Sequence, residues 1–209
     1  MAVMSFSRLL FRVSFRAAAL MAVLGLGLPL AQAQSKPATS SWLDRPLANW
    51  NRIGAALPAV PIGTKRDETI KTCDVKPPQS TAAERAIADA GWIPFLNFDQ
   101  RLVQGDIEIV GGMTGADGMC RPIGYNLFVF VGGRFAGTLS PGQMNSRDDS
   151  ASGAVRILGT DSLSAEFSRY TEKDPLCCPS SRVTVRYRID RSGTRPLVAP
   201  VDVRVTRGL

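Results

Sequence analysis

The sequence predicts an α+β domain, an antiparallel β meander of about seven strands with one or two N-terminal helices packed on it. Three observations lead there. Thr81-x-x-Glu84 is a capping box, Ala-rich helix formers follow it, and Gly91 supplies the stop. From Gly105 onward the apolar spacing changes from helical to alternating. The alternating stretches are joined mostly by short turns, which favours antiparallel neighbours, either as an open sheet or as a small barrel.

The elements follow in chain order. Residues 1–33 read as a secretory signal peptide. Arg8, Arg12 and Arg16 are basic, residues 17–28 are an unbroken apolar run, and Ala31-Gln32-Ala33 offers a small-x-small site with cleavage between Ala33 and Gln34. That run is shorter than the roughly 20 residues a membrane span requires. Residues 34–41 (QSKPATSS) form a Pro/Ser-rich linker expected to be disordered. Residues 42–79 form an N-terminal unit. In it residues 42–57, with Asp44, Pro46 and apolar Leu43, Leu47, Trp50 and Leu57, predict a short helix, and residues 58–79, with four prolines, an extended segment pinned by Cys73.

The main domain spans residues 80–209, opening with the capped helix at 82–90. Residues 106–110 alternate as a half-buried strand. Residues 127–131 and 134–139 flank Gly132-Gly133, a pair suited to a two-residue primed turn. That turn sets Phe130 opposite Phe135 and Val129 opposite Ala136; with both faces apolar, the hairpin is expected in mid-sheet. Residues 140–153 predict a polar loop, and 155–158 and 162–170 further strands. Residues 182–190 alternate Val183, Val185, Tyr187 and Ile189 against Arg182, Thr184, Arg186 and Arg188. The last strand carries Val201, Val203 and Val205; pairing Val185 with Val201 keeps the apolar faces together and sets Thr184 against Asp202. Pro200 lacks an amide for the ladder, so this strand is placed at an edge.

Composition limits the chemistry. The 209 residues contain no histidine, which excludes a Ser-His-Asp triad, a Cys-His pair and any His-ligated metal. No S-x-x-K motif replaces them. The formal charge of +7 falls to +4 once the three leader arginines are removed. No catalytic residue, metal site or cofactor is therefore expected.

Export changes how the four cysteines are read, because an oxidising compartment favours disulfides among Cys73, Cys120, Cys177 and Cys178. Three connectivities exist. Two of them join Cys177 and Cys178 separately to Cys73 and Cys120; these are favoured over the third, which closes the adjacent pair as a vicinal bridge. The cysteine-rich stretch then reads as a loop stapled to two other segments. The other reading of Cys177-Cys178 is a thiol redox or soft-metal site, since neighbouring thiolates can reach one ion.

Three further stretches bear on function. Residues 111–121 are glycine-rich but lack the Gly-Lys-Ser/Thr of a phosphate loop and the acids of a calcium loop, so they predict a connecting loop. Ser140, Ser146, Asp148 and Asp149 predict a solvated turn, not a nucleophile with its base. Arg182, Arg186 and Arg188, with Arg204 on the next strand, form a candidate anion-binding face that equally serves solubility and edge protection. Nucleic acid is not expected, given export and the lack of an aromatic-basic stripe.

The run Asp117-Gly118-Met119-Cys120-Arg121-Pro122, the hairpin FVFVGGRFAGTLSP at 128–141, and RYTEKDPLCCPS at 169–180 before an alternating Val/Arg strand resemble the LppP/LprE family of bacterial envelope lipoproteins, over roughly residues 84–205. The resemblance implies a small exported protein at the cell surface, of a family with no established enzymatic activity, and an envelope role without a named ligand; the partner is expected to be an envelope component, whether glycan, lipid headgroup or protein. One position departs from the lipoprotein pattern. Ala33-Gln34 stands where an acylated cysteine would follow the apolar run, so this chain is expected to be released without a lipid anchor, into the periplasm or beyond it.

Overall fold

The computed structural model describes residues 41–96, 101–175 and 177–207. The expected signal peptide, its cleavage point at Ala33 and Gln34, and all of the expected linker but Ser41 lie outside the described residues. Ser41 itself is buried, caps a single 3-10 turn at Trp42–Asp44, and bonds the Ser150 hydroxyl.

Among the described residues two short helices, α1 (Arg66–Thr72) and α2 (Ala82–Asp89), accompany eleven antiparallel strands. The strands are β1 (Ile93–Phe95), β2 (Leu102–Gln104), β3 (Ile107–Met113), β4 (Gly115–Ala116), β5 (Pro122–Ile123), β6 (Asn126–Val131), β7 (Arg134–Thr138), β8 (Ser152–Ile157), β9 (Ser162–Arg169), β10 (Ser181–Asp190) and β11 (Leu197–Arg207). The antiparallel α+β class stands. The single meander of seven strands does not, because the strands divide among three sheets: β1-β3-β6-β7 with β2 also on β3, β11-β10-β9-β8, and the pair β4-β5.

The reason lies in β6, all six of whose residues are buried. A strand apolar on both faces requires cover on both. Leu127, Val129 and Val131 pack against Leu163, Phe167, Val185 and Tyr187 of the second sheet, while Phe128 and Phe130 pack with Ala83, Ile87 and Trp92 from α2 and its exit. Each large side chain so enclosed contributes on the order of 1.5–3 kcal/mol. The molecule is therefore layered as helix, sheet, sheet, with its larger core between the two sheets.

Local chemistry accounts for each element and for each departure. In α2 the Thr81 hydroxyl accepts from the Glu84 amide and the Glu84 carboxylate accepts from the Thr81 and Ser80 amides. The helix expected over 42–57 stops after one turn, because Arg45 precedes Pro46 and is driven to an extended ψ of 155°. The segment instead lays Trp42 and Trp50 edge-on against each other, with Trp42 against Phe167 and Trp50 against Tyr187. Helix α1, inside the stretch read as extended, has Asp67 and Glu68 in its first turn and Lys71 in its last, as the helix dipole favours.

The Gly132-Gly133 turn has φ of +56° and +74°, and Phe130 faces Phe135 as expected. Val129 meets Gly137 and not Ala136, because a bulge intervenes. The hairpin is also not wholly in mid-sheet: β7 ends its sheet. At the C-terminus Val185 pairs with Val203 and Thr184 with Arg204, two residues from the expected register. Asp190 pairs with Leu197, which already carries the register one residue further along β11 than expected, and a bulge at Val201 adds the second residue. A shift of two keeps the valines on the same face. β11 lies at the edge, as Pro200 implied. Among the described residues no helix is long and apolar enough to cross a membrane.

Candidate functional site

The outer face of the β8–β11 sheet collects the expected arginines. Along β10 the buried Val183, Val185, Tyr187 and Ile189 fix Arg182, Arg186 and Arg188 on the solvent side, all three exposed. Register sets Arg204 of β11 beside Thr184, Asp202 beside Arg186, and Glu166 of β9 beside Thr184 on its other flank. The sequence reading missed three charges on this face, Arg156, Glu166 and Asp190, and set Asp202 against Thr184 where it stands beside Arg186. The alternation of Ser162, Ser164, Glu166 and Ser168 against buried Leu163, Ala165 and Phe167 carried the signal for β9.

These charges are unevenly compensated. Glu166 lies 3.8 Å from Arg156 and 3.9 Å from Arg182, and Asp202 is 3.1 Å from Arg204. Asp190 accepts from the Ser192 hydroxyl and amide, which with the nearby Arg188 charge hold its carboxyl below the usual range. Among the described residues no carboxylate forms an ion pair within 4.0 Å of Arg186 or Arg188. These two guanidiniums occupy alternate positions of one strand, with Asp202 across from Arg186 and Asp190 two residues along from Arg188.

The β9–β10 connection carries the cysteine-rich segment and adjoins Arg182. Its shape depends on Asp174. That carboxylate accepts from the Thr171 amide at 2.8 Å, the Thr171 hydroxyl at 2.7 Å and the Ser180 amide at 2.8 Å, bonds that pull its pKa down to about 2. Arg169 anchors the base of the loop, 2.8 Å from both Asp149 and Asp44.

The disulfides correct the favoured connectivity. Cys73 joins Cys120, and Cys177 joins Cys178. The first bridge ties the end of α1 to the turn between β4 and β5, with Cα atoms 5.5 Å apart. In that turn the Asp117 carboxylate accepts from the amides of Arg121 and Met119 and from the Arg121 guanidinium, which lowers its pKa. The second bridge lies in an exposed loop and ties no distant segment, so the stapled-loop reading of residues 177 and 178 is overturned.

Other stretches resolve into structure. Gly111 and Gly112 belong to β3 and not to a loop: a Cβ at Gly111 would fall 2.5 Å from the Phe95 ring, and one at Gly112 2.9 Å from Phe128. Ser140 is fully buried and donates to Gly142 and Asn126, Asp149 holds Arg169, and Asp148 accepts from Asn145. A cleft of about 470 Å³ lies between α1 and β4, lined by Thr64, Thr69, Thr72, Thr114 and Asp117 beside the Cys73 bridge. Among the described residues no three cysteines or carboxylates converge to form a metal-binding group.

Comparison with known families matches residues 106–192 to the family described as LppP/LprE lipoprotein. The resemblance read from the sequence holds over that stretch, narrower than the span of 84–205. It includes β3 through β10, both adjacent cysteines and Arg182, Arg186 and Arg188; α1, α2, Cys73 and β11 lie outside it. No curated protein and no solved structure matches the chain.

Proposed function

We propose that this chain, with its LppP/LprE-type core, is an exported, disulfide-stabilised protein of the bacterial envelope that works by binding and not by catalysis. Its binding surface is the outer face of the β8–β11 sheet, and the ligand chemistry is anionic. One observation carries the reading: Arg186 and Arg188 project side by side from a solvent-exposed sheet with no carboxylate paired to them among the described residues. Planar guanidinium groups suit phosphate and carboxylate, whose paired oxygens they bind through forked hydrogen bonds. The lack of any histidine and the structural use of Ser140, Asp117 and Asp149 support a non-catalytic role.

Co-sedimentation with phosphatidylglycerol vesicles, with phosphatidylcholine vesicles and with purified peptidoglycan tests this. Binding to an anionic surface that weakens as salt shortens the Debye length below about 10 Å is expected, together with its loss in Arg186→Glu/Arg188→Glu. Equal retention by neutral vesicles, or by the doubly substituted protein, would overturn it.

A second reading rests on the exposed Cys177-Cys178 bridge, which closes no structural loop. In it the bridge is a two-electron acceptor: an external dithiol attacks one sulfur, the two cysteines leave as thiols with two protons, and the attacking pair becomes the disulfide. Slow reduction of residues 177 and 178 by a dithiol, no faster than that of Cys73–Cys120, removes this reading and leaves the first intact.

A further inference from the structure

We propose that two copies of this chain pair edge to edge through β11, antiparallel, about a two-fold axis at Val203. Strand β11 ends its sheet, so among the described residues one side of its backbone lacks a strand neighbour. Its apolar residues also outrun the core. Val203 and Val205 stand opposite the buried Val185 and Val183, yet Val205 is 64% exposed and Val201 52%. A stripe of valines on the core side of an edge strand is a template for strand addition.

The two halves of this edge are treated differently. Toward the start of β11, the Asn51 side chain donates to the Val198 carbonyl at 3.1 Å and Pro200 has no amide to offer. From the bulged Val201 onward, among the described residues, no hydrogen bond from outside the β10 ladder reaches the backbone of residues 201–206. The open half is the half with the exposed valines.

Charge selects the register and the occupant. In an antiparallel pair, opposed residues share a face and their Cβ atoms lie about 4.5–5.5 Å apart. An axis at Val203 sets Asp202 opposite Arg204 of the second copy, twice, on the solvent face. On the other face it sets Val201 opposite Val205, twice, with Val203 meeting itself. Moving the axis to Asp202 or Arg204 would oppose two carboxylates or two guanidiniums instead. One stretch of chain is thus complementary to itself under two-fold rotation, which is what a closed dimer interface requires. The pairing would continue the four-stranded sheet across the axis. It is independent of the anion-binding reading and is measured without any ligand.

Sedimentation velocity on the purified protein over a wide concentration range should show a reversible monomer–dimer equilibrium, and hydrogen exchange should show amides within residues 201–206 gaining protection as concentration rises. Asp202→Arg and Arg204→Asp should each weaken the dimer about tenfold by opposing like charges, and the double exchange should restore it to within about threefold. A monomer at every concentration would overturn the proposal. So would a dimer unmoved by the single changes, or a double variant weaker than either. Should a substituted chain fail to fold, concentration-independent exchange at 201–206 in the unsubstituted protein overturns it alone.

Discussion

Asn51 joins the two sheets through one side chain. Its amide nitrogen donates to the Thr138 carbonyl at 3.0 Å and to the Val198 carbonyl at 3.1 Å, and its oxygen accepts from the Thr138 amide at 2.9 Å. It thereby substitutes for a missing strand between β7 and β11, each of which ends its sheet. The approach is close enough to demand glycine at the opposing position: Gly137 has φ of +141°, and a Cβ there would lie 2.4 Å from the Asn51 side chain. Asn51→Asp keeps the shape and the acceptor but turns both donations into repulsions between oxygens. It should cost roughly 2–3 kcal/mol, and Gly137→Ala about as much through strain and overlap. Urea denaturation checks this, with a lowered midpoint and an unchanged slope expected for both; midpoints within error of the parent protein would show that the edges hold without the amide.

At the scale of elements, the two disulfides have different work. Bridging Cys73 to Cys120 across a sequence separation of 47 removes unfolded-chain freedom worth about 4 kcal/mol on the loop-closure account, and it holds α1 to the β4–β5 turn. The adjacent bridge closes no such loop. Cys73→Ser/Cys120→Ser should therefore lower stability by several kcal/mol, whereas Cys177→Ser/Cys178→Ser should change it by less than about 1 kcal/mol. Equilibrium denaturation of the two double variants decides the matter, and a comparable loss in both would contradict it. The pairing was not legible from spacing, because four cysteines in three segments leave the partner to tertiary geometry. What could be read was local: the capping box of α2, the glycine turn between β6 and β7, the alternation of β10 and the edge position implied by Pro200. The segment around Asn51 was misread because its apolar residues match a helix period, while Pro46 and the pull of Trp42 and Trp50 toward Phe167 and Tyr187 straighten it. The division into separate sheets depends on what covers each face of β6, a fact about distant segments. The arginine face was visible on one strand, but its compensation by Glu166, Asp190 and Asp202 appears only when the neighbouring strands are in register.

For the whole molecule, the missing histidine shapes the dependence of stability on pH. All four cysteines are bridged and no imidazole exists, so no side chain with an ordinary pKa changes charge between about pH 5.5 and 8. The groups that respond to folding are carboxylates. Asp106, Asp117, Asp174 and Asp190 are all held below their usual range by hydrogen bonds, from Arg191, from the Arg121 amide, from Thr171 and from Ser192 respectively. Glu84 differs in being buried. Burial alone would raise its pKa, but the Arg101 guanidinium at 2.8 Å and the Thr81 and Ser80 amides more than reverse this. A carboxyl depressed in the folded state binds its proton more readily when unfolded. The stability it contributes is complete above the unfolded pKa, about 4, and disappears as pH falls through the folded one. Urea denaturation should therefore give a level plateau through the neutral range and a decline that begins near pH 4.5 and continues toward pH 2. Glu84→Gln should cost roughly 1.5–3 kcal/mol on the plateau, because it removes a buried charge-assisted pair, and the difference from the parent protein should shrink with acidification as Glu84 takes up its proton. A stability slope between pH 5.5 and 8, or a Glu84→Gln deficit as large at pH 2.5 as at neutrality, would show that other groups govern the acid response.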